Sequence, residues 1–300
     1  MTQRKSITAV LAALAAAALY AVSIPLSPFL LRQVPPVMLA GFLYLGAGVG
    51  MGLLGMVHPV PPQQRLTRSL LPYTVGMVVL DIAAPILLML GLFRTAAAHV
   101  SLLGSFEIAA TAVIALLLFR ERISRRVWAA IALITLAVGL LSFEGTGSLR
   151  FSSGSLLVLG ACLCWGLENN CTRALSQKSA VQIVTVKGIF SGLGSLLVAF
   201  LSDEALPAFC WLLPAMVLGF LSYGLSIYLY VRAQSVLGAA RTSAFYSVNP
   251  FLAAAFSLLL LRQPLSPAYP YALVFMLLGL LLTVRETLAE VPAGEPPVSQ

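Results

Sequence analysis

Ten long runs of apolar residues, each closed by prolines, charges or both, account for nearly the whole chain. Runs of roughly 18–25 apolar residues predict helices at 7–31, 36–57, 70–92, 96–119, 127–143, 154–173, 180–201, 211–232, 238–261 and 268–286. The breaks hold residues that end helices at little cost: Pro35-Pro36, Pro59 with Pro61-Pro62, Asp203-Glu204 with Pro207, and Pro264 with Pro267. At about 1.5 Å per residue such runs cross a hydrocarbon layer of about 30 Å. The pattern predicts an all-α integral membrane protein with ten transmembrane helices.

Composition agrees. Hydrophobic residues make up 60% of the 300 positions and charged residues 9%, against about 25% charged in soluble domains. An aqueous core cannot hide that much apolar surface, so the solvent is lipid, and each charge inside a span becomes a candidate for function. The first run matches the other nine and has no A-x-A site followed by a soluble domain, so it reads as a span rather than a signal peptide. With an even span count and a cytoplasmic N-terminus, thirteen Lys and Arg fall inside (Arg122, Arg125 and Arg126 among them). Four, Arg32, Arg94, Arg150 and Arg262, fall outside. This positive-inside bias places both termini in the cytoplasm, in a cell (cytoplasmic or inner) membrane. It also accounts for the net charge of +8, so no nucleic-acid partner is called for. Cys162, Cys164, Cys171 and Cys210 have no metal spacing and read as small core or lipid-facing residues.

The second half repeats the first. A shift of 142 aligns Leu71-Pro72 with Leu213-Pro214, Ala97-Ala98 with Ala239-Ala240, Ser101 with Ser243, Ser105 with Ser247 and Arg120 with Arg262. A shift of 145 puts Tyr20 on Trp165. The units are residues 1–146 and 147–287, and 288–300 is a Pro-rich, acidic tail expected to be disordered and cytoplasmic. Five helices is an odd number, so the second unit enters the membrane from the opposite face. Inverted repeats mark alternating-access carriers whose site lies between the halves.

Ten helices in a five-plus-five repeat, Trp165-Gly166 with Arg173 in the sixth helix, and Ser247-Val248-Asn249-Pro250 before Leu258–Arg262 in the ninth resemble the drug/metabolite transporter superfamily. Within it the chain is most similar to the EamA-type permeases. The resemblance covers essentially the whole chain, though Gln263 stands where Glu121 stands in the first repeat, and Ile108 where the family often has proline. It implies a small-solute carrier with a central cavity that moves amino acids or other metabolites, often outward.

Asp81 is the twelfth residue of helix three and Glu107 the twelfth of helix four, on antiparallel neighbours, so both acids sit near the midplane. An ionised carboxylate there costs at least about 2.5–3.5 kcal/mol, and two together do not both ionise cheaply. They read as a shared proton or a site for a cationic group; buried acids bonded to Ser101, Ser105, Thr74 or backbone is the structural alternative. Their repeat partners are Tyr223 and Asn249, so the scaffold demands no acid at either place. Gly104, Glu107 and Thr111 share one helical arc with Ser101 and Ser105 beside it. Tyr246, Asn249, Ser247 and Ser243 form the partner arc, as facing walls of a cavity. Glu168 and Lys187 lie at matching depth on adjacent helices and read as an ion pair, a gate or substrate contacts. Trp165 and Tyr20 offer π faces to a cation or pack as core aromatics. His99 and His58 read as solvated.

Gly50–Gly55 satisfies G-x-G-x-x-G, but it follows an apolar span and opens no βαβ unit, so it reads as a small-residue packing face with Gly41, Gly46 and Gly48. No Walker sequence occurs, and no cofactor is expected. An intramembrane protease needs a nucleophile–base pair that the spans lack, and a channel needs rings of like residues from several chains. These classes remain the alternatives to a carrier of small, cationic or zwitterionic metabolites, coupled to H⁺. Its partners are that solute, H⁺ and the bilayer, as a monomer or homodimer.

Overall fold

In the computed structural model, described residues are 3–57, 61, 64–119, 124–142, 152–175, 178–237, 245–246, 248–262 and 267–289. Every one of the ten expected runs carries helix, and the described residues contain no strand. The elements are α1 (Gln3–Ala21), α2 (Ser23–Leu31), α3 (Pro36–Val57), α4 (Leu71–Arg94), α5 (Ala97–Leu103), α6 (Phe106–Phe119) and α7 (Arg125–Ser142). The second half holds α8 (Ser153–Leu175), α9 (Ala180–Leu201), α10 (Leu212–Gly219), α11 (Ser226–Leu237), α12 (Asn249–Leu261) and α13 (Tyr269–Ala289). Five continuous helical stretches are long and apolar enough to cross a bilayer: Ile7–Leu30, Pro36–Val57, Arg68–Arg94, Ala180–Leu201 and Phe209–Ala233. The last helix continues through Ala289, two residues into the stretch expected to be disordered, and 290–300 lie outside the described residues.

Four of the runs are interrupted rather than uniform. The first bends at Val22, because Pro25 has no N–H for the Ala21 carbonyl and its ring crowds that turn. The fourth breaks at Gly104-Ser105, where i→i−3 bonds replace the helical ladder: Ser105 N–H donates to Leu102 at 2.9 Å and Glu107 N–H to Gly104 at 3.1 Å. The eighth passes through a π-helical turn at Phe220–Leu225. The ninth starts its last segment at Asn249-Pro250, since Pro250 is tolerated only in a first helical turn. Glu107 and Asn249 therefore both open the second half of a broken helix, at matched repeat positions.

Helix pairing reproduces the duplication. α3 packs on α9, α7 on α13 and α5 on α12; each pair joins a span to its own repeat mate. α4 packs on α8 and α1 on α11, which exchange with one another when the repeats are swapped. The whole set is thus invariant under a two-fold operation. Its sense is visible at α3 and α9, which run antiparallel. Gly41 lies against Gly192, Gly48 against Gly188, and Gly55 against Val181. Equivalent spans run in opposite directions, so the repeats are inverted.

Small residues make this crossing possible. A Cβ on Gly188 would lie 2.3 Å from the Gly48 nitrogen, so the two backbones touch directly. The pair is also tied at one end, and at the other α9 is tied to the segment that leads into α4. Glu204, beyond α9, accepts the Val37 and Met38 N–H groups at 3.1 and 2.8 Å, capping α3 with both carboxylate oxygens. At the other end Gln182 accepts the Leu66 N–H at 2.8 Å, and the Ser179 N–H donates to Gln64 at 2.8 Å. Glu204→Ala removes two charge-assisted bonds and should lower stability by about 1–2 kcal/mol. Thermal unfolding in detergent measures the loss, and an unchanged melting temperature counts against the cap.

Candidate functional site

Where α4, α8 and α9 meet, one lysine holds two acids. Lys187 Nζ lies 3.0 Å from Asp81 Oδ2 and 3.1 Å from Glu168 Oε1. All three are buried, Asp81 completely. Tyr44 on α3 donates its hydroxyl to Asp81 Oδ1 at 3.0 Å, and the Thr172 hydroxyl, one turn on from Glu168, donates to Glu168 Oε1. Removing charges from water is costly, and the geometry answers that cost with mutual attraction and two hydroxyl donors.

Glu107 has a different partner. The Asn169 amide on α8 donates to its Oε1 at 2.8 Å and lies 3.4 Å from Thr111. The carboxylate borders a cavity of about 90 Å³ between the repeats. Its polar and aromatic lining is Tyr20, Ser101, Glu107, Trp165, Tyr246 and Asn249; Ile24, Leu88, Val100 and Pro250 supply apolar wall. The Asn249 side-chain oxygen Oδ1 is buried with no hydrogen-bond partner among the described residues. The fourth and ninth runs face each other here, with the Ser101 and Ser257 hydroxyls 3.4 Å apart. Repeat mates therefore line the same space: Tyr20 with Trp165, and Glu107 with Asn249.

A chain of tyrosine rings runs from the ion cluster to the cavity. Tyr44 meets Tyr223 at 5.2 Å, Tyr223 meets Tyr20 at 5.3 Å, Tyr20 meets Tyr246 at 6.4 Å, and Tyr246 meets Tyr230 at 5.0 Å. The π turn places Tyr223 in this chain. Its neighbours Ser222 and Ser226 donate to the Leu19 and Ala16 carbonyls of α1, both at 2.8 Å.

Equal depth led to the expectation that Asp81 and Glu107 share a proton. The structure instead gives them separate partners, Lys187 and Asn169. The break at Gly104-Ser105 turns Glu107 toward the cavity, while Asp81, on the unbroken α4, faces α9. Ser105 is buried and its hydroxyl has no partner among the described residues, and Ser247 lies outside the described residues. The His99 ring is half-buried, with Nε2 shielded, and packs at 5.8 Å on Tyr269; His58 lies outside the described residues. Tyr44 and Asn169 carried no weight in the sequence. Asn169 had a usable signal, since Glu168-Asn169-Asn170 puts three polar residues in succession inside an apolar span.

The family described as EamA-like transporter family matches residues 7–143 and again 152–285. The chain belongs to it. This EamA-family protein is a multi-pass membrane transporter of small molecules. A curated relative, an uncharacterized transporter of Methanothermobacter thermautotrophicus, is 23% identical over 288 residues, covering 88% of this chain and 82% of its own. A solved structure described only as that of a protein superposes with a TM-score of 0.67, covering 94% of this chain and 98% of that one. The two are 17% identical, a likeness of fold alone.

In this EamA-family protein the ion cluster should respond asymmetrically to substitution. Lys187→Ala strands two buried carboxylates, and losses of about 3–5 kcal/mol follow when one member of a buried pair is removed. Combining it with Asp81→Asn and Glu168→Gln should recover part of that loss, as measured by thermal unfolding. Additive losses across the three changes exclude mutual contact.

Proposed function

We propose that the chain is an alternating-access carrier for small organic cations or zwitterions, amino acids among them, and that Glu107 exchanges a proton for the substrate's ammonium group. The observation that carries this reading is the cavity itself. It lies between inverted repeats, and Glu107 is the only charged side chain among the described residues lining it. That acid has a neutral partner, Asn169, and stands beside Tyr20, Trp165 and Tyr246. A carboxylate flanked by aromatic rings attracts a cation, each ring contact adding about 0.5–2 kcal/mol when desolvated. The start of α12 brings partial positive charge and the free acceptor of Asn249 to the same space. The first suits a substrate carboxylate and the second a donor on its body. Glu168 and Asp81 are already neutralised in part by Lys187, so they contribute to conformation rather than to substrate contact.

In this mechanism substrate enters with Glu107 protonated, its ammonium displaces the proton, and the proton leaves to the entry side. The halves then rock, substrate departs, and Glu107 takes up a proton from the far side. One proton crosses against each substrate molecule, so the gradient of protons drives the solute. The bends at Val22, Gly104-Ser105 and Asn249-Pro250 are where the spans can flex without breaking further ladder bonds.

The reading includes a cytoplasmic or inner membrane, with both termini in the cytoplasm and a monomeric or homodimeric carrier. Cysteines introduced near Asp203 should react from outside, and one at the C-terminus only after permeabilisation. A C-terminus reached from outside overturns this topology. For the chemistry, proteoliposomes holding Glu107→Gln should contain folded protein that no longer accumulates an amine or amino-acid substrate when a proton gradient is imposed. Accumulation by Glu107→Gln with unchanged pH dependence overturns the exchange mechanism.

A further inference from the structure

The ion cluster joins α4 and α8 to α9, and the repeat shows what it replaces. Swapping the repeats exchanges two three-span groups, α4, α8 and the broken α5–α6 with α10–α11, α1–α2 and α12, which touch through α5 and α12. Between them stands the crossed pair α3 and α9, tied to one another through Glu204. Asp81 and Glu168 both belong to the first group, and Lys187 belongs to the crossed pair. In the second group Tyr223 occupies the repeat position of Asp81, and Ser23 that of Glu168. Tyr44 stands 143 positions before Lys187, within the 142–145 offset of the repeat, and meets Tyr223 ring to ring at 5.2 Å. At these matched places one group meets the crossed pair through buried charges, and its mate through uncharged rings beside a close backbone approach of Gly219 to Leu43.

We infer that Lys187 with Asp81 and Glu168 is an ionic clasp that holds the first group against α9 and sets the conformational preference of the carrier. This rests on the alternating-access reading. Two contacts of unlike strength at symmetric places make the two end states unequal in energy, which a symmetric carrier lacks. The second acid has a physical purpose. Both acids sit on the same moving group, so parting the clasp leaves a bare ammonium on one side and two carboxylates on the other. That makes opening costly and the closed contact strongly favoured. Asn169, next to Glu168 on α8, bonds Glu107 in the cavity, so a shift of α8 reaches clasp and cavity acid together. The seam beside the clasp is closed: Tyr44, Ala47, Val184, Tyr223 and Ile227 pack around Lys187 with no room for water.

The clasp is tested at Val184, which is buried in that seam, one turn before Lys187. Val184→Cys in the full chain, in nanodiscs without substrate, is treated with a membrane-impermeant maleimide. Labelling is read peptide by peptide, so the native cysteines serve as internal references. Asp81→Asn and Glu168→Gln should each speed labelling of Cys at 184, on the order of tenfold. The neutral triple variant Asp81→Asn/Glu168→Gln/Lys187→Met should do so at least as much, while labelling of Cys164 stays at its reference rate. Lys187→Met alone is not needed, so a variant that fails to fold does not decide the matter. Wild-type labelling rates in both single variants and in the triple overturn the clasp, and a lowered melting temperature without faster labelling makes the cluster merely structural. If the wild-type chain moves no solute, the transport reading fails, whereas the labelling still reports on the clasp.

Discussion

The backbone contact of α3 with α9 governs the rest of the structure. Helices in lipid gain little from burying apolar side chains against one another, so close approach must come from small residues and direct van der Waals contact. Gly48 against Gly188 and Gly41 against Gly192 provide it. Equivalent spans then cross antiparallel at the pseudo-two-fold, and α7 with α13 and α5 with α12 pair in the same way. Glu204 keeps the crossing from sliding by taking up two N–H groups of the first turn of α3 that have no partner in the helical ladder.

Charge is distributed around that crossing according to what the apolar surroundings tolerate. Lys187 lets two acids lie within the membrane's depth by sharing its ammonium between them. Glu107 lacks any cation in contact with it among the described residues and leans on an amide donor and a cavity instead. The first arrangement is satisfied internally and suits a structural or conformational role. The second leaves a carboxylate facing space, the condition for recognising a charged solute.

Departures from ideal helix cluster around the same space. Proline at 25 and 250, glycine at 104 and the π turn at Phe220–Leu225 each release backbone groups, and neighbouring hydroxyls or tight turns take them up. Ser222 and Ser226 spend their hydroxyls on carbonyls of α1, across the interface of that packed pair. Such breaks are tolerated in a bilayer only where protein surrounds them, and here they aim Glu107, Asn249 and Tyr223 inward.

Much of this was legible along one dimension. The lengths of the apolar runs, their boundaries and the 142-residue duplication were read directly from residue order. So was the inverted sense of the repeats, because an odd number of spans reverses direction. Depth was legible too: Glu168 and Lys187 were matched by counting residues from the ends of their helices, and they lie 3.1 Å apart. What tertiary structure alone decided was the direction in which each side chain faces. Asp81 and Glu107 share a depth, yet one faces α9 and the other a cavity, because a break two residues before Glu107 rotates its helix. Tyr44 and Asn169 became partners of those acids through contacts across 37 and 62 positions of sequence. Residue counting measures rise along a helix axis, whereas rotation about the axis and the choice of lateral neighbour are settled only when glycine, proline and hydroxyl contacts lock the helices together.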